Sequence, residues 1–232
     1  MKVLVIDVGG THIKLLATGH KDKDKIEFLS GPRMTAKKMV AEVKARVKEA
    51  GWKYDVISMG YPGPVLHNRP IAEPWNLGKG WVGMNYAKAF GCPVRIMNDA
   101  AMQAAGSYEG GRMLFLGLGT GLGSALIVDS VIEPMELAHL PYKKNKTFED
   151  YIGLRGLRRL GKKKWRRHVK AVVNELRTAT QAEYVVLGGG NARLLRKLPP
   201  QSRLGANDNA FRGGFRVWNP PSKESKPRGR LF

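Results

Sequence analysis

Apolar residues in this chain fall into short dense runs separated by polar or glycine-rich breaks, and the spacing of those runs predicts the elements. Residues 2–8, KVLVIDV, and 12–18, HIKLLAT, are β-rich and flank Gly9-Gly10, which predicts strand, glycine turn and strand. In 35–51, TAKKMVAEVKARVKEAG, apolar positions recur at helical spacing and stop at Gly51. YDVISMGYPGPV (54–65) predicts a strand that breaks in a Gly- and Pro-rich turn. PVRIMNDAAMQAAG (93–106) predicts a strand followed by an alanine-rich helix, with Asn98-Asp99 in the cap position. RMLFLGLGTGLGSALIVD (112–129) repeats the strand, glycine turn, strand unit. Residues 147–179 read as mostly helical, and EYVVLGGG (183–190) as a strand ending in a glycine loop. The Pro- and Lys-rich stretch 220–232 reads as a mobile tail.

This order of elements predicts an α/β architecture with two related halves that meet near residues 96–110. Composition adds little to that: 232 residues, 43% hydrophobic and 25% charged, suit a globular chain with a buried core. No apolar run approaches the ~18–20 residues of a membrane span. MKVLVIDVGG reads as a buried strand rather than a signal segment, so a cytoplasmic protein is expected. Cys92 stands alone, which leaves no disulfide framework and no cysteine-based zinc site. Charge changes the picture more. Forty Lys and Arg against nineteen Asp and Glu leave +21, an excess that attracts polyanions such as nucleic acid, an anionic surface or a phosphate chain.

The two glycine turns are the candidate chemistry. Glycine lets a ligand approach the backbone, so that amide N–H groups converge on phosphate oxygens. Gly123-Ser124 has no lysine before the serine, so it is no Walker loop, and a strand-like run follows where a Rossmann fingerprint needs a helix. What remains is a hairpin grip on phosphate, used twice. Asp7 ends the first strand just before its glycines, where a carboxylate suits the water shell of Mg²⁺. Asp99 follows a strand end, where it suits removal of a proton from an attacking hydroxyl; capping the helix after it is the alternative role.

Taken in order, these stretches resemble the ROK family of sugar kinases, within the actin-like ATPase and sugar-kinase superfamily, over residues 2–218. DVGGTHIK resembles the family's first phosphate motif, GYPGPV its Gly-x-Pro-Gly turn, and WNLGKGW its Asn-Leu…Trp segment. MNDAAMQAAG resembles the Asn-Asp-Ala stretch, GLGTGLGSALIVD the second phosphate motif, ELAHL the Glu-Leu-Gly-His, and VVLGGG the loop near the nucleotide. The resemblance implies a two-lobed, ribonuclease-H-like α/β fold with a central cleft. The expected division is a lobe over 1–97, a larger one over 98–206, a C-terminal helix over 207–219 that returns to the first lobe, and the tail.

The resemblance also implies roles. Asp99 is the expected general base, with Asn76, Asn98, Asp99, Glu136, His139 and Glu149 on the sugar hydroxyls. Gly9, Gly10, Thr11, Lys14, Gly119, Thr120, Gly121, Gly188, Gly189 and Gly190 are expected on phosphate or nucleotide. Asp7 is expected to hold Mg²⁺ through water. Zinc-bearing members use three cysteines and the histidine of Glu-Leu-Gly-His, so no zinc is expected here. A homodimer is implied. The helix-turn-helix of the family's repressors is missing, which argues against a transcription factor.

Within the family the chain most resembles the polyphosphate glucokinases, which implies glucose as acceptor and polyphosphate, ATP or both as donor. RGLRRLGKKKWRRHVK then gains a role, with Arg155, Arg158, Arg159, Lys162, Lys163, Lys164, Arg166 and Arg167 as a track for a phosphate chain. The alternative for that run is a solvated helix face. Another hexose kinase, or a non-catalytic polyanion binder on a kinase scaffold, are the competing readings. No RNP motif, zinc finger or basic zipper supports reading of nucleic-acid bases.

Overall fold

The structure, a computed structural model, describes residues 1–206 and 208–218. Its strands gather into two five-stranded sheets, one in each of two units of the chain. The first unit comprises Met1–Met102 and the segment that begins at Ala210; the second is Gln103–Asn209. The tail expected over 220–232 lies outside the described residues. Among the described residues no helix is long and apolar enough to cross a membrane.

In the first unit β1 (Val3–Val8) and β2 (His12–Ala17) form the antiparallel pair around Gly9-Gly10, and β3 (Ile26–Leu29) extends it. Helix α1 (Ala36–Glu49) follows, then β4 (Val56–Tyr61), a small hairpin of β5 (Val65–Leu66) and β6 (Arg69–Pro70), and α2 (Tyr86–Phe90). β7 (Val94–Asn98) completes the sheet in the order β3-β2-β1-β4-β7, with β1, β4 and β7 parallel. Helix α1 forms because Ala36, Met39, Val40, Val43 and Val47 recur at helical spacing and bury one stripe. Thr35 caps it by accepting from the Lys38 N–H. Strand β3, like the β5–β6 hairpin and α2, is an element that the apolar pattern does not predict. It is a four-residue edge strand in which only Phe28 is buried, too little alternation to read.

Helix α3 (Asp99–Ser107) leads into the second unit. There β8 (Arg112–Leu118), β9 (Leu122–Val128) and β10 (Val131–Met135) form an antiparallel meander. A hairpin of β11 (Pro141–Lys143) and β12 (Lys146–Thr147) precedes α4 (Phe148–Ile152) and α5 (Leu154–Ala179). β13 (Tyr184–Gly188) and β14 (Ser202–Leu204) add parallel strands, giving the order β10-β9-β8-β13-β14. Counting only the strands of each large sheet, both orders are third, second, first, fourth, fifth, so the two halves share one topology.

The helical reading of 147–179 passes over two breaks. Gly153 separates α4 from α5, and Gly161 interrupts α5 with φ +71°, a backbone that glycine adopts freely. Beyond it, Trp165, Val169, Val172, Val173 and Leu176 bury the inner stripe of α5 in the core of this unit. Helix α6 (Asn209–Trp218) closes the described chain and packs in the first unit. Ser58 donates to the Gly214 carbonyl at 2.6 Å, and a Cβ on Gly214 would lie 2.4 Å from Val5.

Candidate active site

Parallel strands present their carboxyl ends as the natural ligand edge of an open α/β sheet. In the first unit that edge carries Asp7 near the end of β1, Gly60 opposite it on β4, and Asp99 immediately after β7. Gly60 keeps this edge open: a Cβ there would meet Met102 at 2.4 Å and the Asp7 Oδ1 at 3.6 Å. Burial pushes the Asp99 carboxyl up to about 7, and the charge of Asp7 adds to the shift. Asp7 is raised as well, by burial first, while Lys14, its cross-strand neighbour on β2, pulls the other way. Two carboxyl groups with raised affinity for their protons therefore stand at the end of the sheet that bears the first glycine turn.

Capping falls to Asn98, not Asp99. The Asn98 Oδ1 accepts from the N–H groups of Ala100 at 2.9 Å and Ala101 at 3.3 Å, and its Nδ2 donates to the Gly63 carbonyl. The second Asn98 Nδ2 N–H has no acceptor among the described residues. Asp99 itself accepts the Ala100 N–H on Oδ1 at 2.8 Å. Asn76 lies over the glycine turn, its Cβ 3.2 Å from where a Cβ of Gly10 would sit. The carboxylate of Glu73 receives the N–H groups of Gly80, Trp81 and Val82, each at 3.2 Å, and so ties down the loop that bears Asn76. The spacing of Glu73 to these residues carries no signal that sequence patterns use.

The first turn is fixed through its carbonyls. Ser30 donates from Oγ to the Gly9 carbonyl at 2.7 Å and from N–H to the Thr11 carbonyl at 2.9 Å. The Gly9 N–H bonds the His12 carbonyl across the turn. The N–H groups of Gly10 and Thr11 have no protein acceptor among the described residues.

The second turn repeats this arrangement. Asn191 donates from Nδ2 to the Gly119 carbonyl at 2.9 Å, and Leu154 from N–H to the Thr120 carbonyl at 3.1 Å. The Gly119 N–H is spent on the Gly117 and Gly121 carbonyls, which leaves those of Thr120 and Gly121 without a protein acceptor among the described residues. Ser30 and Asn191 escape sequence reasoning as turn supports, because each lies far along the chain from the turn it holds. Pairs of adjacent unpaired amides form a concavity suited to anions.

Other expected residues of the second unit fall into three groups. Glu136 and His139 pair with each other, Oε1 to Nδ1 at 3.3 Å, and both are exposed. Ser124 holds their segment by donating to the Met135 carbonyl and accepting the Leu137 N–H. Glu149 turns its carboxylate to the second turn, where Oε2 accepts the Leu122 N–H at 3.2 Å. In the loop 188–190, Gly188 is buried against Phe115, and Gly189, at φ +79°, lies so close to Leu118 that a Cβ would come within 2.6 Å of its backbone. These two glycines seat the loop under the second turn, and only Gly190 faces open space.

The basic run is divided in its duties. Arg155 pairs with Asp150 at 3.5 Å, Arg159 donates to the Asp150 carbonyl and covers the Tyr151 ring, and Arg166 donates to the Leu194 carbonyl. Arg158, Lys162, Lys163, Lys164 and Arg167 are exposed and have no ion-pair partner among the described residues.

Comparison with known proteins bears on the whole arrangement. The chain is 28% identical over 218 residues to the polyphosphate glucokinase of Mycobacterium tuberculosis, an alignment that covers 84% of this chain and 80% of that one. Against the polyphosphate glucokinase of Mycobacterium leprae it is 29% identical over 209 residues, covering 81% and 63%. Among solved structures it is similar to the inorganic polyphosphate/ATP-glucomannokinase of Arthrobacter sp. strain KM, with TM-score 0.76 and 22% identity over 91% of this chain and 96% of that one. A ROK family glucokinase from Streptomyces griseus, solved with glucose and AMPPNP, gives TM-score 0.71 and 16% identity over 92% and 97%. The fold is thus the α/β, actin-like one of the ROK sugar kinases. The family model described as ROK family matches residues 3–133, more than half of the 232, and the chain belongs to the ROK family.

Proposed function

We propose that this protein is a sugar kinase that transfers a phosphoryl group from inorganic polyphosphate, ATP or both to the 6-hydroxyl of glucose. The observation that carries the reading is Asp99, a carboxyl pushed up to about 7 at the ligand edge of a parallel sheet, beside a turn with two open amides. A base that titrates near neutrality is matched to taking a proton from a hydroxyl as that oxygen attacks phosphorus. Oδ1 is held by the Ala100 N–H, so Oδ2 is the oxygen left to receive the proton. Asn98, Asn76, Glu136, His139 and Glu149 supply donors and acceptors for the remaining hydroxyls, which must be paired once water is excluded.

The open amides of Gly10, Thr11, Thr120 and Gly121 bind phosphate oxygens, and Lys14 adds positive charge. These groups are fixed before the donor arrives, so they need no reorganisation as charge builds up in the transfer. Asp7 and Asp99, both half-buried and the second further penalised by the charge of the first, fit a divalent cation that would be held mainly through Asp7. With so few carboxylates to hold it, such an ion would keep several waters, as suits Mg²⁺. When bound it neutralises charge on the donor phosphates.

Two features favour polyphosphate as a donor. The first helical N–H of α5, that of Leu154, bonds the Thr120 carbonyl, so the helix bearing the free cations starts on the second phosphate turn. The excess of 40 Lys and Arg over 19 Asp and Glu favours a long polyanion over a compact one. Purified protein with Mg²⁺ and glucose, given ATP or long-chain polyphosphate in parallel, tests the reading. Glucose phosphorylation is expected with polyphosphate, weakening steeply with salt. Turnover with ATP alone keeps the kinase and returns the α5 cations to a solvated face. Failure with both donors on glucose and mannose overturns the assignment.

A further inference from the structure

Glu149 joins two parts of the second unit. Its backbone N–H donates to the Ala138 carbonyl at 3.0 Å, inside the segment that carries Glu136 and His139. Its side chain runs the other way, and Oε2 accepts the Leu122 N–H at 3.2 Å. The same oxygen lies 2.4 Å from the position that a Cβ on Gly121 would take, so it rests directly on the second turn. No hydrogen bond reaches Oε1 from the described residues.

The placement is held from both sides. Thr147 and Asp150 form a reciprocal capping box that fixes α4. Gly153 is pressed between the Glu149 carbonyl and the Thr120 carbonyl, since a Cβ there would lie 2.8 Å from the first and 3.1 Å from the second. A negative charge is thereby parked at the edge of two amides, Thr120 and Gly121, that have no acceptor of their own. Like charge at that distance opposes the entry of phosphate, more so where water is thinned out.

We propose that Glu149 is a guard on the second phosphate turn, lifted by the sugar. The inference rests on the sugar-kinase reading. With no sugar bound, the carboxylate repels phosphate from the turn. A sugar hydroxyl that donates to Oε1 draws the charge toward itself and away from Thr120 and Gly121. Binding is then ordered, sugar before donor, and the donor is not gripped tightly while water alone is available to attack it. Glu149 acts here as a positioning residue, through a charge that is moved rather than through the reacting atoms.

Glu149→Gln separates this role from a scaffolding one, because its carbonyl can still accept the Leu122 N–H while the charge is gone. Calorimetric titration with tripolyphosphate and Mg²⁺, in the absence of any sugar, is the readout. The variant is expected to bind about tenfold more tightly than the natural chain. In the natural chain, prior glucose is expected to tighten tripolyphosphate binding, and in Glu149→Gln that gain is expected to vanish. Equal or weaker binding by the variant overturns the guard and leaves the kinase reading intact. Absence of phosphate binding in both proteins, with and without glucose, overturns the two together. The glucose titration of the natural chain stands without any variant, and there an affinity for tripolyphosphate that ignores glucose counts against the guard.

Discussion

The first glycine turn, with open amides at Gly10 and Thr11, shares its hairpin with Lys14, the cross-strand neighbour of Asp7. The second turn has the same pair of open amides, at Thr120 and Gly121, but its neighbour is the carboxylate of Glu149. Both are held by their carbonyls, the first from Ser30 and the second from Asn191 and Leu154. The shared plan shows what a hairpin needs in order to offer N–H groups to an anion: its oxygens must be spoken for elsewhere. On the reading proposed above, the difference in neighbours makes the first turn a standing anion site beside a lysine and the second a conditional one beside a glutamate.

The largest effect separates chemistry from grip. Asp99→Asn keeps the size of the side chain and is expected to lower kcat for sugar phosphorylation by about 10²–10⁴-fold, read in steady-state assays. An unchanged rate would leave both turns as mere binding sites. Next comes Gly189→Ala, which places a Cβ 2.6 Å from the Leu118 backbone at φ +79°. It is expected to cost roughly 1–3 kcal/mol of stability, seen as a lowered thermal midpoint, because the loop beneath the second turn has no room to yield. The first turn leans on Ser30 and Asn76 instead, so the two turns are expected to respond to different substitutions.

The pH dependence sharpens the contrast. Asp99 must lose its proton to act as base, so activity is expected to rise with pH up to about 7 and then level off. Asp7→Asn removes the like charge that helps to hold that proton, and the acid limb is expected to move to lower pH. The same shift has a sign for stability. The folded chain retains the Asp99 proton that an unfolded chain would release near 4, so this group favours folding at low pH, and its contribution falls as pH rises through about 7. Denaturant melts at pH 5 and pH 8 are expected to show a gap that narrows in Asp99→Asn. The smallest effect is Ser30→Ala, which removes the 2.7 Å bond to the Gly9 carbonyl. It is expected to cost about 1 kcal/mol and to raise the KM for the phosphate donor.

Much of the fold is legible in the pattern of apolar runs, because β1, β2, β4, β8, β9 and β13 each bury dense β-rich runs between clear turn signals. Strand β3 is not legible, since an edge strand with one buried residue leaves no alternation to detect. Nor is the break at Gly161, where basic residues continue on both sides and the glycine alone marks the change. At the site, residue types and order point to Asp7, Asp99 and the two turns. What they leave open is which of two adjacent polar residues caps α3. The structure answers it through Asn98, whose short amide reaches the Ala100 and Ala101 N–H groups and spares Asp99 from that duty. The destination of the Glu149 side chain is also invisible in sequence, because it depends on how α4 lies beside a turn 27 residues away.

Helix α6 sets an order of assembly. Its Gly214 fits against Val5, its Gly214 carbonyl receives Ser58, and its Val217 carbonyl receives Arg95, so residues from both ends of the chain share one core. On a ribosome, which releases roughly 5–20 residues per second, the first unit emerges early and then waits, with the face meant for α6 uncovered, until the whole second unit has been made. The second unit suffers no such delay, since its sheet and its covering helix lie within one continuous stretch. The half of the protein synthesised first is therefore the half completed last, and the interval between is when its Val3, Val5 and Leu16 face is open to the wrong partner.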